Sequence, residues 1–379
     1  MTTIHAGIPA SNNTLYRSIR FIVGDPAALI IRDDGTHALI IRDIEMNRAR
    51  QNARADVVHC PADFTPDSGL SGDRETATAQ ALAEFLRRDG ISSVRADRSL
   101  ALSFVHELNE AGIAIEYDAD LGVLDRRSKD SEEVESLRQA QAQTQLAIEK
   151  ACRTIAHCTA DSNGLLQLQD EPVTSERVRT LIDMHLLKAG FNNPTSIVAG
   201  GVQGADCHDH GHGPLRTGEP IIIDVFPRCK TSRYNGDCTR TVVHGDIPET
   251  IATMHAAVLA SKAAAEAFTK PGVTGEAVHE ETCRVLIEHG YAVGLPDADA
   301  SADRIAIVHG TGHGIGLDVH EPPLLDRGGP KLLEGDVLTI EPGLYGPAIG
   351  GVRVEDMVLV TADGCEDLGT GLHVGLDWT

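Results

Sequence analysis

The chain has 379 residues, long for one ordinary domain and comfortable for two. Hydrophobic residues make up 41% and charged residues 23%, an ordinary globular composition that can fill a large core. With 33 basic against 56 acidic residues the net charge is -23, which argues against nucleic acid, and a 3% aromatic content gives little for base or sugar stacking.

The opening stretch MTTIHAGIPASNNTLYRSIR contains no apolar core of the kind a signal segment needs. No later run approaches the ~20 apolar residues of a membrane span. Eight cysteines are scattered without a CxxC pair, which suits reduced thiols and not a disulfide frame. The expectation is a soluble, cytoplasmic protein with no membrane partner. Next, ALIIRDDGTHALIIRD reads as a hairpin turning at Asp33-Asp34-Gly35. DRETATAQALAEFLRRDG and LALSFVHELNEAG read as helices that stop at glycines, with the strand-like VRAD between them. Residues 1–125 thus form a first domain with no clustered ligands and no phosphate loop.

LDRRSKDSEEVESLRQAQ marks the change to a second domain, 126–379, in which Asp130 caps a long polar helix. TSERVRTLIDMHLLKAG, PETIATMHAAVLASKAAAEAF and TGEAVHEETCRVLIEHG have helical spacing, and His185, His255, His279 and His289 read as packed histidines. The chemistry lies in the strands. PIIIDVFPR ends three isoleucines on Asp224, and RYNGDCTRTVV puts Asp237 in the next strand of a hairpin. A buried carboxylate is costly unless it pairs with a cation or binds a metal. IVHGTGHGIGLDVHEPP interleaves His309, His313 and His320 with glycines that permit close backbone approach. DVLTIEPGLY and GVRVEDMVLV interrupt β-branched runs with Glu341 and Glu355, and Arg353 falls two residues before Glu355, on the same face of a strand. Four carboxylates and one imidazole form a hard donor set for Mn(II) or Co(II), with Fe(II) or Zn(II) compatible. The charge suffices for two ions, which about 3.5–4 Å apart can share and acidify a water.

In the order Asp, Asp, His, Glu, Glu these segments resemble the pita-bread metallopeptidases, a family that includes methionine aminopeptidase, aminopeptidase P and prolidase. The RRSKDSEEVESLR junction and the N-terminal half resemble the proline-specific branch. The resemblance implies an α+β chain, with a creatinase-like α/β domain followed by a pita-bread catalytic domain. It also implies metal-dependent hydrolysis of Xaa-Pro bonds in small peptides by a water bridging the metals, in a homodimer. Asp224 would bind one metal, Asp237 and Glu355 would bridge the pair, and His313 and Glu341 would complete the second site. Glu341 would be the general base and acid, while His320 and His309 would act beside it. His208 and Arg353 would join His320 in binding substrate, with His210 and His212 as alternatives to His208. The interval from Asp224 to Asp237 is longer than the family usually has, and it adds Arg228, Lys230 and Arg233 at the expected rim of the site. A metalloenzyme of the same fold acting on a non-peptide, as an amidino or ring C–N hydrolase or a lyase, is the alternative function. A non-catalytic binding protein fits the intact ligand set least.

Overall fold

The structure is a computed structural model that describes residues 1–296, 301 and 303–379. The chain divides into two compact units, Met1–Arg126 and Arg127–Thr379. In the first, the Ile-rich runs form the antiparallel strands Ala27–Ile31 and His37–Ile40, with Ile31 opposite His37 across the turn. They belong to a six-stranded sheet that also contains Thr3–Gly7 and Ser93–Ala96. The helix Arg74–Arg88 starts on the Asp73 side chain, which accepts the Thr76 N–H, and buries Ala79, Leu82 and Phe85 against that sheet.

The second unit opens with the helix Ser131–Ala156. Asp130 and Glu133 close its N-terminus reciprocally, each side chain accepting the other's backbone N–H. The helix has a buried face of Leu137, Ala140, Ile148 and Ile155, so it is polar on one side only. With the helix Ser175–Lys188 it packs on a three-stranded antiparallel sheet of Ser196–Gly200, Pro220–Val225 and Cys238–Val243. A second helical pair, Glu249–Phe268 and Gly275–Glu288, is likewise followed by strands. Of these, Ala306–Ile307, Gly343–Gly346 and Gly350–Arg353 lie in a four-stranded sheet. Gly312–Gly314, Val337–Ile340 and Asp356–Val360 lie in a five-stranded one. All eight cysteines are free thiols. Among the described residues no helix is long and apolar enough to cross a membrane.

Candidate metal centre and substrate cavity

Asp224 lies on the central strand of the three-stranded sheet, directly after Ile221, Ile222 and Ile223, each no more than 1% exposed. Its cross-strand partners are Ile197 on one side and Thr239 on the other. Asp237 precedes Thr239 by two residues and therefore shares the face that carries Asp224. Asp237 stands one residue outside its strand, and its N–H donates to Gln141 Oε1 at 3.0 Å, which ties it to the long helix. The helix comes so close here that a Cβ on Gly236 would run into the Ala140 carbonyl.

His313 sits between Gly312 and Gly314, where added Cβ atoms would meet the Thr339 and Pro322 carbonyls. Thr339 joins two parts of the site, since its Oγ1 accepts the His313 N–H at 3.1 Å and donates to Glu341 Oε1 at 3.3 Å. Thr239 acts similarly on the other side. Its carbonyl accepts the Glu355 N–H at 3.1 Å, and its hydroxyl donates to Glu355 Oε2 at 2.7 Å. The five side chains thus converge from two sheets and from the crossover that carries Glu355. His313 Nε2 lies 3.4 Å from Glu341 Oε1 and 3.8 Å from Asp237 Oδ2. Donor atoms of Asp237, His313 and Glu355 all fall within 4.8 Å of one another. Asp224 Oδ2 accepts from Arg353 Nη2 at 2.7 Å, whereas its buried Oδ1 has no hydrogen-bond partner among the described residues.

Burial, followed by repulsion from Glu355, Asp224 and Glu341, drives the Asp237 carboxyl well above the usual range. Burial and then Glu341 and Asp224 do the same to Glu355. Burial pushes Glu341 up to about 7, although Arg353 pulls the other way. Such a cluster can be fully ionised only with added positive charge. The unpartnered Asp224 oxygen and the hard oxygen-plus-imidazole set fit divalent metal ions.

These groups form the floor of a cavity of about 620 Å³, with Pro194, Ile197, Phe226, Val319 and Leu324 on its apolar walls. His208, His309 and His320 line it as well. The His320 ring stands edge-on to His313, with centroids 4.4 Å apart. Burial and the neighbouring His313 lower its pKa, which favours the neutral ring. His309 is pushed down to about 3 by burial and then by Arg353. Its Nδ1 lies 2.7 Å from the Gly310 carbonyl, which can only accept, so its Nε2 accepts the Tyr345 hydroxyl proton at 2.7 Å. Tyr345 in turn accepts from Arg353 Nη1 at 2.9 Å, completing a chain from His309 to Asp224.

Two expectations change. Arg353 and Glu355 do not share a strand: Arg353 ends a strand of the four-stranded sheet, and Asp356 begins one of the five-stranded sheet. Val354 and Glu355 form the crossover between the sheets, yet both Arg353 and Glu355 line the cavity. Arg228, Lys230 and Arg233 do not line the cavity itself, but Arg228 lines an adjoining one that shares Pro194, Phe226 and Val319 with it. The added loop folds back onto Phe191 and Asn192 through Arg228 and Cys229, and Arg233 is buried with its carbonyl accepting from Arg228 Nε. His210 also lines the cavity, whereas His212 does not. His255 donates to the Val374 carbonyl, and His279 contacts Thr311, both as packed histidines do. The residues missed in the sequence are Tyr345, Thr239 and Thr339. Tyr345 had no sequence signal, because the chain passes from one sheet to another between Glu341 and Tyr345.

The model of metallopeptidase family M24 matches residues 135–362. The Xaa-Pro dipeptidase of Pyrococcus horikoshii is 29% identical over 286 residues, which is 74% of each chain. The Xaa-Pro dipeptidase of Pyrococcus furiosus is 30% identical over 227 residues, 58% of this chain and 60% of that protein. Among solved structures, the X-Pro aminopeptidase of Thermotoga maritima superposes with a TM-score of 0.79 at 23% identity, covering 98% of this chain and 96% of that one. That likeness establishes the fold as the two-part pita-bread architecture.

Proposed function

The chain belongs to metallopeptidase family M24, and from that premise we propose that it hydrolyses the bond between an N-terminal residue and proline in small peptides. The observation that carries this reading is the convergence of Asp224, Asp237, His313, Glu341 and Glu355 beneath one peptide-sized cavity. We assign these five residues as the ones that would hold two divalent ions. The donor set favours Mn(II) or Co(II) and tolerates Fe(II) or Zn(II). When bound, the ions supply Lewis acidity toward the scissile carbonyl and lower the pKa of water.

The remaining work belongs to the chain. Glu341, oriented by Thr339, takes a proton from the attacking water and returns it to the proline nitrogen. His320, held neutral at the cavity wall, is placed to hydrogen-bond the substrate carbonyl as it becomes tetrahedral. His309 has both ring nitrogens committed to Tyr345 and Gly310, so it shapes the pocket. Arg353 is 3% exposed and spans Thr239, Tyr345 and Asp224, so we assign it to holding Asp224, with its effect on substrate indirect. His208 stands at the cavity wall, within reach of a bound peptide. Relatives named for Xaa-Pro cleavage favour this substrate class over a non-peptide. We expect a homodimer in a reducing, cytoplasmic compartment, and the eight free thiols agree with the latter.

The test is release of the N-terminal residue by Mn(II)- or Co(II)-loaded protein from Ala-Pro and from a longer Xaa-Pro peptide. Cleavage of the dipeptide alone makes it a dipeptidase, and cleavage of the longer peptide makes it an aminopeptidase. Turnover of neither by protein shown to contain metal would overturn the assignment.

A further inference from the structure

Between the short helical turn Gly201–Ala205 and the strand beginning at Pro220, the chain forms a loop reading Asp206-Cys207-His208-Asp209-His210. The proposed hydrolysis uses neither Asp206 nor the thiol of Cys207. Ligand-type atoms of Asp206, Cys207 and His208 all lie within 4.8 Å of one another. Cys207 Sγ is 3.8 Å from His208 Nδ1. A tetrahedral zinc ion with ordinary Zn–S and Zn–N bonds holds its sulfur and nitrogen ligands about 3.6 Å apart, so the pair is close to ligand spacing. Thiol, imidazole and carboxylate together form a softer donor set than the carboxylate-rich floor of the cavity, and it suits Zn(II) over Mn(II).

The loop is also held in place. The Cys207 carbonyl accepts from Arg353 Nη1 at 3.3 Å, and the His210 carbonyl accepts the Val198 N–H at 3.1 Å. Gly211, at φ +74°, lies so close to this strand that a Cβ would strike the Val198 carbonyl. Asp206 Oδ1 accepts the His208 N–H at 3.0 Å, which orients the carboxylate toward the same end of the loop. Cys207 and His208 both line the substrate cavity, while Asp206 is exposed.

We propose that Asp206, Cys207 and His208 form a separate zinc site at the cavity wall, and that an ion bound there inhibits hydrolysis. Binding displaces the thiol proton to solvent and leaves a thiolate on the metal. The ion closes space a peptide must enter and withdraws His208 from substrate. The inhibitory part rests on the peptidase assignment; the binding part does not.

Co(II) separates the two. The carboxylate–imidazole centre has no sulfur ligand, so a thiolate-to-cobalt charge-transfer absorption reports only a cysteine site. Excess Co(II) added to the full-length protein is expected to produce that absorption, and Cys207→Ser is expected to abolish it. No such band in the wild-type protein, or a band that survives in C207S, would overturn the site. In parallel, Zn(II) is titrated against Mn(II)-loaded enzyme and each variant is scored by the ratio of inhibited to uninhibited rate. C207S and Asp206→Asn are expected to weaken inhibition by at least about tenfold, because even groups that only support a metal ligand cost 10–100-fold in affinity. An unchanged zinc inhibition curve in both variants would overturn the control of activity. Absence of any peptidase activity would leave the cobalt spectra fully informative.

Discussion

Removing the metal should reverse the pH dependence of stability in the second unit. Without added positive charge, Asp237, Glu341 and Glu355 hold protons in the folded protein that they release when unfolded. The native state then binds more protons than the unfolded chain, so stability falls as pH rises. For Glu341 the window runs from its ordinary 4.5 up to about 7. At 1.36 kcal/mol for each tenfold change in proton affinity, that residue alone contributes a loss on the order of 3 kcal/mol. In a unit of this size the loss corresponds to a fall in Tm of roughly 5–10 °C. Metal binding favours the ionised carboxylates and stabilises by mass action, about 2.7 kcal/mol at a hundredfold excess over Kd, so loaded protein should not show the fall. Differential scanning calorimetry from pH 5 to pH 8, on chelator-stripped and Mn(II)-loaded samples, measures both curves. A stripped protein whose Tm held level or rose across this range would refute the reasoning, as would a loaded protein that fell in parallel.

Glu341→Ala should reduce turnover by at least about 10²–10⁴-fold, the usual worth of a general acid–base group, with the loss of a ligand added to it; steady-state kinetics on metal-saturated protein would show this. Arg353→Met removes the partner of a buried carboxylate and should destabilise metal-free protein by about 3–5 kcal/mol, read by chemical denaturation. Metal should recover part of that loss, because Asp224 then gains a new cationic partner. Tyr345→Phe leaves His309 Nε2 and Arg353 Nη1 without their shared hydroxyl and should cost about 1–3 kcal/mol in the same assay.

The five proposed ligands were legible because each breaks a pattern: a carboxylate after three isoleucines, a histidine among glycines, a glutamate inside a β-branched run. The hairpin at residues 27–40 and the Asp130 cap were legible because hydrophobic alternation and capping are local. What the sequence hid depends on contacts between distant segments. Arg240 lies in a strand that reads as apolar, yet it is 1% exposed. It donates to the Glu355 carbonyl and pairs with Asp356 at 2.8 Å, and Lys262 meets the same Asp356 at 2.9 Å. No periodicity announces a cation buried behind an anionic centre. The same-face argument for Arg353 and Glu355 failed for a related reason, since strand alternation stops applying where the backbone leaves one sheet for another. Of the rim expected from Arg228, Lys230 and Arg233, Arg228 stands beside the cavity, while the loop pairs with residues 191–192.

The gathering of the proposed ligands from two sheets and a crossover has a consequence for biosynthesis. Asp224 and Glu355 lie about half the length of the second unit apart, so with the proposed ligands a chain still emerging from the ribosome would have no complete centre until its last strands had paired. With that ligand set, metal acquisition would follow completion of the fold and discriminate finished molecules from partial ones. Because an ion held only by the completed fold depresses transient opening, metal supply would set how long each new molecule survives cellular proteases, independently of any role in turnover.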